Sequence, residues 1–501
     1  MTAAARVREL KTRARVVTGG VLAVALLTGA LATAAAGAPG GALSPERSVI
    51  PPNLSVVLGG YTAFWTASGR SDLHGTVKNA AVLQRDDELA VWINQHATAA
   101  EKFIALQDSE YNTEDGTYDQ SLTVSTGLGS VLGPAYVAGR VSGKLPLTSA
   151  LIDSSTGTSG AFVNTGTPKG FFSYPRPFLP SSASAPAVAG DVLGCSPAVA
   201  NSSSLVGIRA GKPYADAQGD LAITRVPPVT DTTHQFSPND VPLDAAYGTT
   251  GICGGGSFPS GHTTAAYEAG ITLATLLPEL APEILARASE NGNSRIVLGV
   301  HYPLDIMGGR IAGEAALAAQ WSDARYRTEI LEPARAELLR YLKKTTGHDL
   351  AWDVAHQTSY RSNPYGGAAM PGGTSQIVTD RASALAVYTE RLTYGFARSG
   401  AAGRAPSVPA GASSLLLTTF PTLTDAQRTS VLAQTEIGSG YPLDLSGSVG
   451  GSAGGSGGGS AGGSWERLNL AAAMSATVDV AANGDVTVTS TGGAPRVVNG
   501  P

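Results

Sequence analysis

FPSGHTT (258–264) and NSRIVLGVHYPLD (293–305) bound the stretch that decides how the chain is read: two histidines, an arginine and an aspartate in one short span. Gly254, Gly255 and Gly256 loosen the backbone ahead of Phe258, and an apolar run from Thr263 to Leu277 follows Ser260-Gly261. A turn is therefore expected to deliver His262 at a helix N-terminus. Unpaired amide N–H groups and the positive end of the helix dipole suit that place to an anion. Downstream, Arg295 and His301 flank the apolar Ile296-Val297-Leu298, and Pro303 fits the first turn of a new helix. Asp305 lies one helical turn past His301 and is close enough to hold its ring. One histidine backed by a carboxylate and a second able to give a proton make an acid and nucleophile pair in outline.

The surrounding composition sets bounds. A chain of 501 residues, 43% apolar and 15% charged, is ample for a sizeable core in one large domain or two. A formal net charge of -5 gives no general attraction to nucleic acid or anionic lipid, and Lys/Arg blocks are confined to the first fifteen residues. Any anion specificity must be local. Those first residues read as an export signal over 1–38: Arg6, Arg8, Lys11, Arg13 and Arg15, an apolar run from Val16 to Ala36, and the small-residue site Ala36-Gly37-Ala38. The alternative is an uncleaved anchor. No membrane span is expected in the mature chain, which is placed outside the cytoplasm, secreted or on the cell surface. Cys195 and Cys253 then either form one disulfide or stay two buried thiols.

Residues 39–84 read as an N-terminal extension and 85–445 as a mainly helical domain. Helical spacing runs from Glu88 to Leu106, where His96 reads as packed or surface, and recurs around Leu128 to Val137. In PKGFFSYPRPFLP (168–180), Lys169 and Arg176 stand on a stiff, aromatic-rich segment, because Pro175 and Pro177 bar a regular helix around the arginine. Residues 180–257 read as an insertion, with Arg209, Lys212, Arg225 and His234 as solvated surface. Helical patterns return at 306–321, 332–342 and 382–392, and Thr424 with Gln427 makes a capping-box start. The Gly/Ser-rich 446–464 reads as a linker or insertion between GYPLD and WERLNLAAAM, and the tail 465–501 as carrying a small β-hairpin, 478–480 with 486–488.

Taken together, Lys169 with six residues to Arg176-Pro177, then Pro259-Ser260-Gly261-His262, then Ser294-Arg295 with five residues to His301 and three more to Asp305, resemble a known signature. It is the three-part signature of the type 2 phosphatidic acid phosphatase superfamily, which includes bacterial class A acid phosphatases, lipid phosphatases and vanadium haloperoxidases. The resemblance implies an all-α helical bundle with its motif core at 169–321. It implies phosphate binding by Lys169, Arg176, Ser260, the Gly261 amide and Arg295, and no metal. It makes His301 the nucleophile that forms a phosphohistidine, Asp305 the group that fixes its tautomer, and His262 the acid and then the base. The substrate implied is a small phosphomonoester, with lipid phosphate as a further candidate. A haloperoxidase, with vanadate as its cofactor, would use the same cradle, but HYPLDIMGGRIAG looks more like the phosphatases. A surface-attached binding protein on the same scaffold is the third reading.

Overall fold

The computed structural model describes residues 49–110, 119–154, 156–180, 188–192, 195, 203–446 and 463–499. The export signal and most of the Gly/Ser tract lie outside them. The longer helices are α1 (Ala80–His96), α2 (Ala99–Ser109), α3 (Leu132–Val141), α4 (Gly166–Phe172), α5 (Gly261–Leu276), α6 (Ala281–Val297), α7 (Pro303–Trp321), α8 (Glu332–Thr346), α9 (Arg381–Arg391) and α10 (Asp425–Thr435). The single run expected from Glu88 to Leu106 is two helices, because the Thr98 side chain accepts from Glu101 N and starts α2 afresh.

The centre is α5, α6 and α7, which pack on one another; every residue of α6 is buried. A helix enclosed on all sides can carry charge only if each charge is matched. Accordingly Glu283 of α6 pairs with Arg381 at 2.8 Å, and Arg287 with Asp108 through bonds of 3.0 and 2.6 Å. Gly308 and Gly309 let α7 lie close: a Cβ at Gly309 would stand 2.7 Å from Thr263 Cβ and 2.8 Å from Ser260 O. That contact sets the N-terminus of α5 directly against the first turns of α7. From the 49–78 segment, Tyr61 stacks on Phe258 with ring centroids 3.9 Å apart, and Trp65 Nε1 donates to Phe172 O.

Strands are few. Trp65–Ala67 (β1) pairs with Gly75–Val77 (β2), and Val229–Asp231 (β3) with Val241–Leu243 (β4). In the tail, Thr477–Val480 (β5) pairs antiparallel with Val486–Ser490 (β6), and Arg496–Asn499 (β7) joins the other edge of β5 in parallel. The terminal unit is thus a three-stranded sheet in which 478–480 pairs with 486–488 and β7 adds a strand that the sequence pattern does not mark. Among the described residues no single helix is long and apolar enough to cross a membrane; α5 with Pro278–Val297 passes on length and composition but bends by 117°.

Candidate active site

Three short segments converge at the junction of α5 and α7. α4 presents Lys169, then stops at Ser173, whose left-handed φ of 45° cannot continue a helix. The half-buried Lys169 ammonium donates to Gly256 O at 2.9 Å and Ser257 O at 3.1 Å, so it fastens the glycine-rich loop. Gly256 is required by proximity, since a Cβ there would come within 2.6 Å of Lys169 O. The buried Arg176 guanidinium donates from Nε to Gly255 O at 3.3 Å, and from Nη1 to Val300 O and His301 Nε2, both at 3.0 Å. One side chain therefore joins all three sequence segments.

The His301 ring is held from both sides. Nδ1 meets Asp305 Oδ2 at 2.9 Å. A guanidinium only donates, so Nε2 accepts from Arg176, the proton lies on Nδ1, and the lone pair lies on Nε2. Asp305 is fixed in turn: Oδ2 accepts from Tyr302 N at 2.9 Å, Oδ1 from Ser257 Oγ at 3.3 Å, and its own carbonyl from Ser260 N at 3.1 Å. Burial pushes the Asp305 carboxyl up to about 7, against the pull of the Tyr302 amide and the nearby cations. Burial first, then Arg176, Lys169 and Arg295, depresses His301 well below the usual histidine range.

Ser260 is the N-cap of α5, accepting from Thr263 N at 3.2 Å and Thr263 Oγ1 at 2.8 Å, with its own hydroxyl proton left to donate. Gly261 is the first residue of α5, so its amide is among those without an intrahelical acceptor. His262 follows; its Nε2 donates to Ser109 O at 3.3 Å. Burial, then Arg295 and Arg176, pushes its pKa well below the ordinary value. Arg295, buried in the last turn of α6, adds a third positive charge, and the field of Arg295 adds to burial in lowering Arg176 to about 10. All eight residues singled out around the two histidines thus gather in one place. The arrangement offers cations, helix amides and an oriented imidazole lone pair to one oxyanion. Among the described residues no group of three His, Cys, Asp or Glu side chains converges as a metal site.

Other supports lie behind this site. Asp86 Oδ1 accepts from Leu304 N at 2.9 Å, one residue before Asp305. Arg209, expected on a solvated surface, is buried: it pairs with Asp87 at 2.9 and 2.7 Å and donates to Tyr302 OH at 3.0 Å. Arg225 of the same insertion is half-buried and paired with Asp191, whereas Lys212 and His234 are exposed. Cys195 and Cys253 form a disulfide with Cα atoms 4.7 Å apart, close before the glycine-rich loop.

Residues 150–329 match the family described as the PAP2 superfamily. The chain is 37% identical over 113 residues to an acid phosphatase of Zymomonas mobilis subsp. mobilis, covering 23% of this chain and 42% of that protein. It is 35% identical over 89 residues to a non-specific acid phosphatase of Providencia stuartii, covering 18% and 35%, and 38% identical over 63 residues to one of Salmonella typhi, covering 13% and 25%. The chain thus spans less than half the length of these curated relatives.

Proposed function

We propose, from the match of residues 150–329 to the PAP2 superfamily, that the chain is an exported phosphatase, hydrolysing phosphomonoesters through a phosphohistidine on His301 without a metal. The observation that carries this reading is the two-sided hold on the His301 ring, which directs a lone pair at Nε2 into a cluster of three cations. A phosphoryl group bound among Lys169, Arg176, Arg295 and the α5 amides has its charge matched oxygen by oxygen. Nε2 attacks phosphorus, the P–O ester bond breaks, and the leaving oxygen takes a proton from His262. Water then attacks the phosphohistidine while His262 removes its proton, the N–P bond breaks, and phosphate leaves. Asp305 stabilises the charge on the His301 ring during the covalent stage.

His262 must be protonated for the first step, although burial and cations depress its pKa. A phosphate dianion beside it reverses that field, so the substrate itself restores the acid. The disulfide between Cys195 and Cys253 supports export, since such bonds persist in oxidising compartments. The relatives' names, all acid phosphatases, favour this reading over a haloperoxidase.

Rapid-quench labelling with an aryl phosphate, with and without chelator, tests it. The expected result is label on the parent and on His262→Ala, none on His301→Ala, and turnover of the parent unaffected by chelation. Label on the His301 variant, or activity lost to chelator and restored by a divalent ion, overturns it. Bromide oxidation by vanadate-treated protein without phosphatase turnover would favour the haloperoxidase.

A further inference from the structure

Apart from the cradle, a cavity of about 840 Å³ lies between α2, α3, α6 and residues 358–363. That volume suits a small organic molecule. By area its wall is mainly apolar, with Ile104, Pro134, Val137, Phe236 and Tyr360, yet two acids, one on α2 and one on α6, reach it. Glu101 is 3% exposed, and its Oε1 has no hydrogen-bond partner among the described residues. Glu290 is 2% exposed and accepts from Ser362 Oγ.

Two guanidinium groups, Arg287 and Arg391, act on Glu101 from nearby. Arg287 is committed to Asp108 by two bonds of 3.0 and 2.6 Å. Arg391, which does not line the cavity, donates to Gln376 at 2.8 Å and Ser289 at 3.1 Å, and its Nη2 has no hydrogen-bond partner among the described residues. Arg361 is exposed at the rim, and so is His234, which pairs with Asp240. Asp108 also accepts from Ser294 Oγ at 2.9 Å and Asn291 Nδ2 at 3.0 Å.

We propose that this cavity is a second binding site, for a small organic cation with an ammonium group on an apolar body. A buried carboxyl oxygen without a hydrogen-bond partner is costly, and a charged donor is what relieves it best. Burial first and the Glu290 charge second hold the Glu101 carboxyl well above the usual carboxylate range. An arriving ammonium therefore displaces its proton to solvent and takes its place against the carboxylate.

Calorimetric titration of the full protein near neutral pH with phenethylamine, and with phenethyl alcohol of the same shape, tests this in two buffers of different ionisation enthalpy. The amine is expected to bind once, at least about tenfold tighter than the alcohol, with a buffer-dependent heat that reports proton release. Glu101→Gln should erase the discrimination, and Ala100→Trp, at the exposed rim, should block both ligands. Equal affinities, discrimination surviving in Glu101→Gln, or no binding by the amine at millimolar concentration overturns the proposal. Should Glu101→Gln fail to fold, Ala100→Trp decides alone, since undiminished amine binding there puts the amine elsewhere.

Discussion

The two histidines are poised by opposite partners, one a carboxylate and the other a carbonyl, and this sets the pH behaviour of the free site. Both pKa values are depressed by burial and by three cations, so each ring is neutral in the free protein at pH values where an exposed histidine is charged. The sign follows: a bound oxyanion raises the histidine pKa values, protons are taken up, and affinity rises as pH falls through the window below about 6.5. Sulfate, which does not itself titrate there, should show this as proton uptake in calorimetry, and a pH-independent affinity would count against the arrangement. His262→Gln should remove part of the uptake. Arg176 has a second, geometric task, because its planar fork reaches Gly255 O, Val300 O and His301 Nε2 at once. An ammonium cannot span these. Arg176→Lys should lower kcat by about 10²-fold or more, the loss typical of one oriented oxyanion donor, while the protein keeps its fold; turnover within a few-fold of the parent would show the fork to be dispensable.

At the scale of elements, the cradle depends on how closely α7 approaches the start of α5. Gly309→Ala would drive a methyl into Thr263 and the Ser260 carbonyl, at 2.7 and 2.8 Å, and neither is the flexible end of a long side chain. We expect it to cost about 1–3 kcal/mol in a denaturant melt, the usual range for overpacking, with kcat falling as well because Ser260 and His262 move. A stable variant with parental kcat would show that the approach has slack. This junction was legible in the sequence because its parts are local: a cap, a proline at a first turn, and a carboxylate one turn past a histidine. Its supports were not. Asp87 and Arg209 are 122 residues apart and Asp86 and Leu304 are 218 apart, and a lone carboxylate in a helical pattern carries no mark of a distant partner. Arg209 reads as surface for the same reason: charge says surface unless its counter-charge is known to be buried beside it. The break between α1 and α2 rested on one capping threonine inside a continuous periodic run, and β7 is a short strand that has meaning only against β5.

Across the whole molecule, the tail is fastened to the centre by charge. Arg310 of α7 donates to both Glu314 oxygens at 3.1 Å and to Glu466 Oε2 at 2.8 Å, all three residues being buried. The Leu445 amide meets Ser464 Oγ at 3.2 Å, so the chain arrives at this clasp with the two ends of the Gly/Ser tract side by side. Two carboxyls share one guanidinium, and the imbalance appears as titration: burial pushes Glu314 up to about 7 and, with the Glu314 charge added, holds Glu466 well above the usual carboxylate range. A group whose folded pKa is raised contributes stability that is complete below its unfolded pKa, near 4.3, and is lost as pH rises through the folded value. The clasp is therefore tightest below about 4.3 and weakens as pH rises from there, because the folded protein must either keep a proton that the unfolded chain has released or carry two buried charges against one. Glu466→Gln keeps an oxygen to accept from Arg310 and removes one of the titrating groups. Relative to the parent, its melting temperature should rise steadily between pH 5 and pH 8, even if the variant is the less stable of the two at the acid end. Parallel melting curves across that range would mean that Glu466 holds its charge at every pH, and that the tail is held by an ordinary ion pair instead of a shared proton.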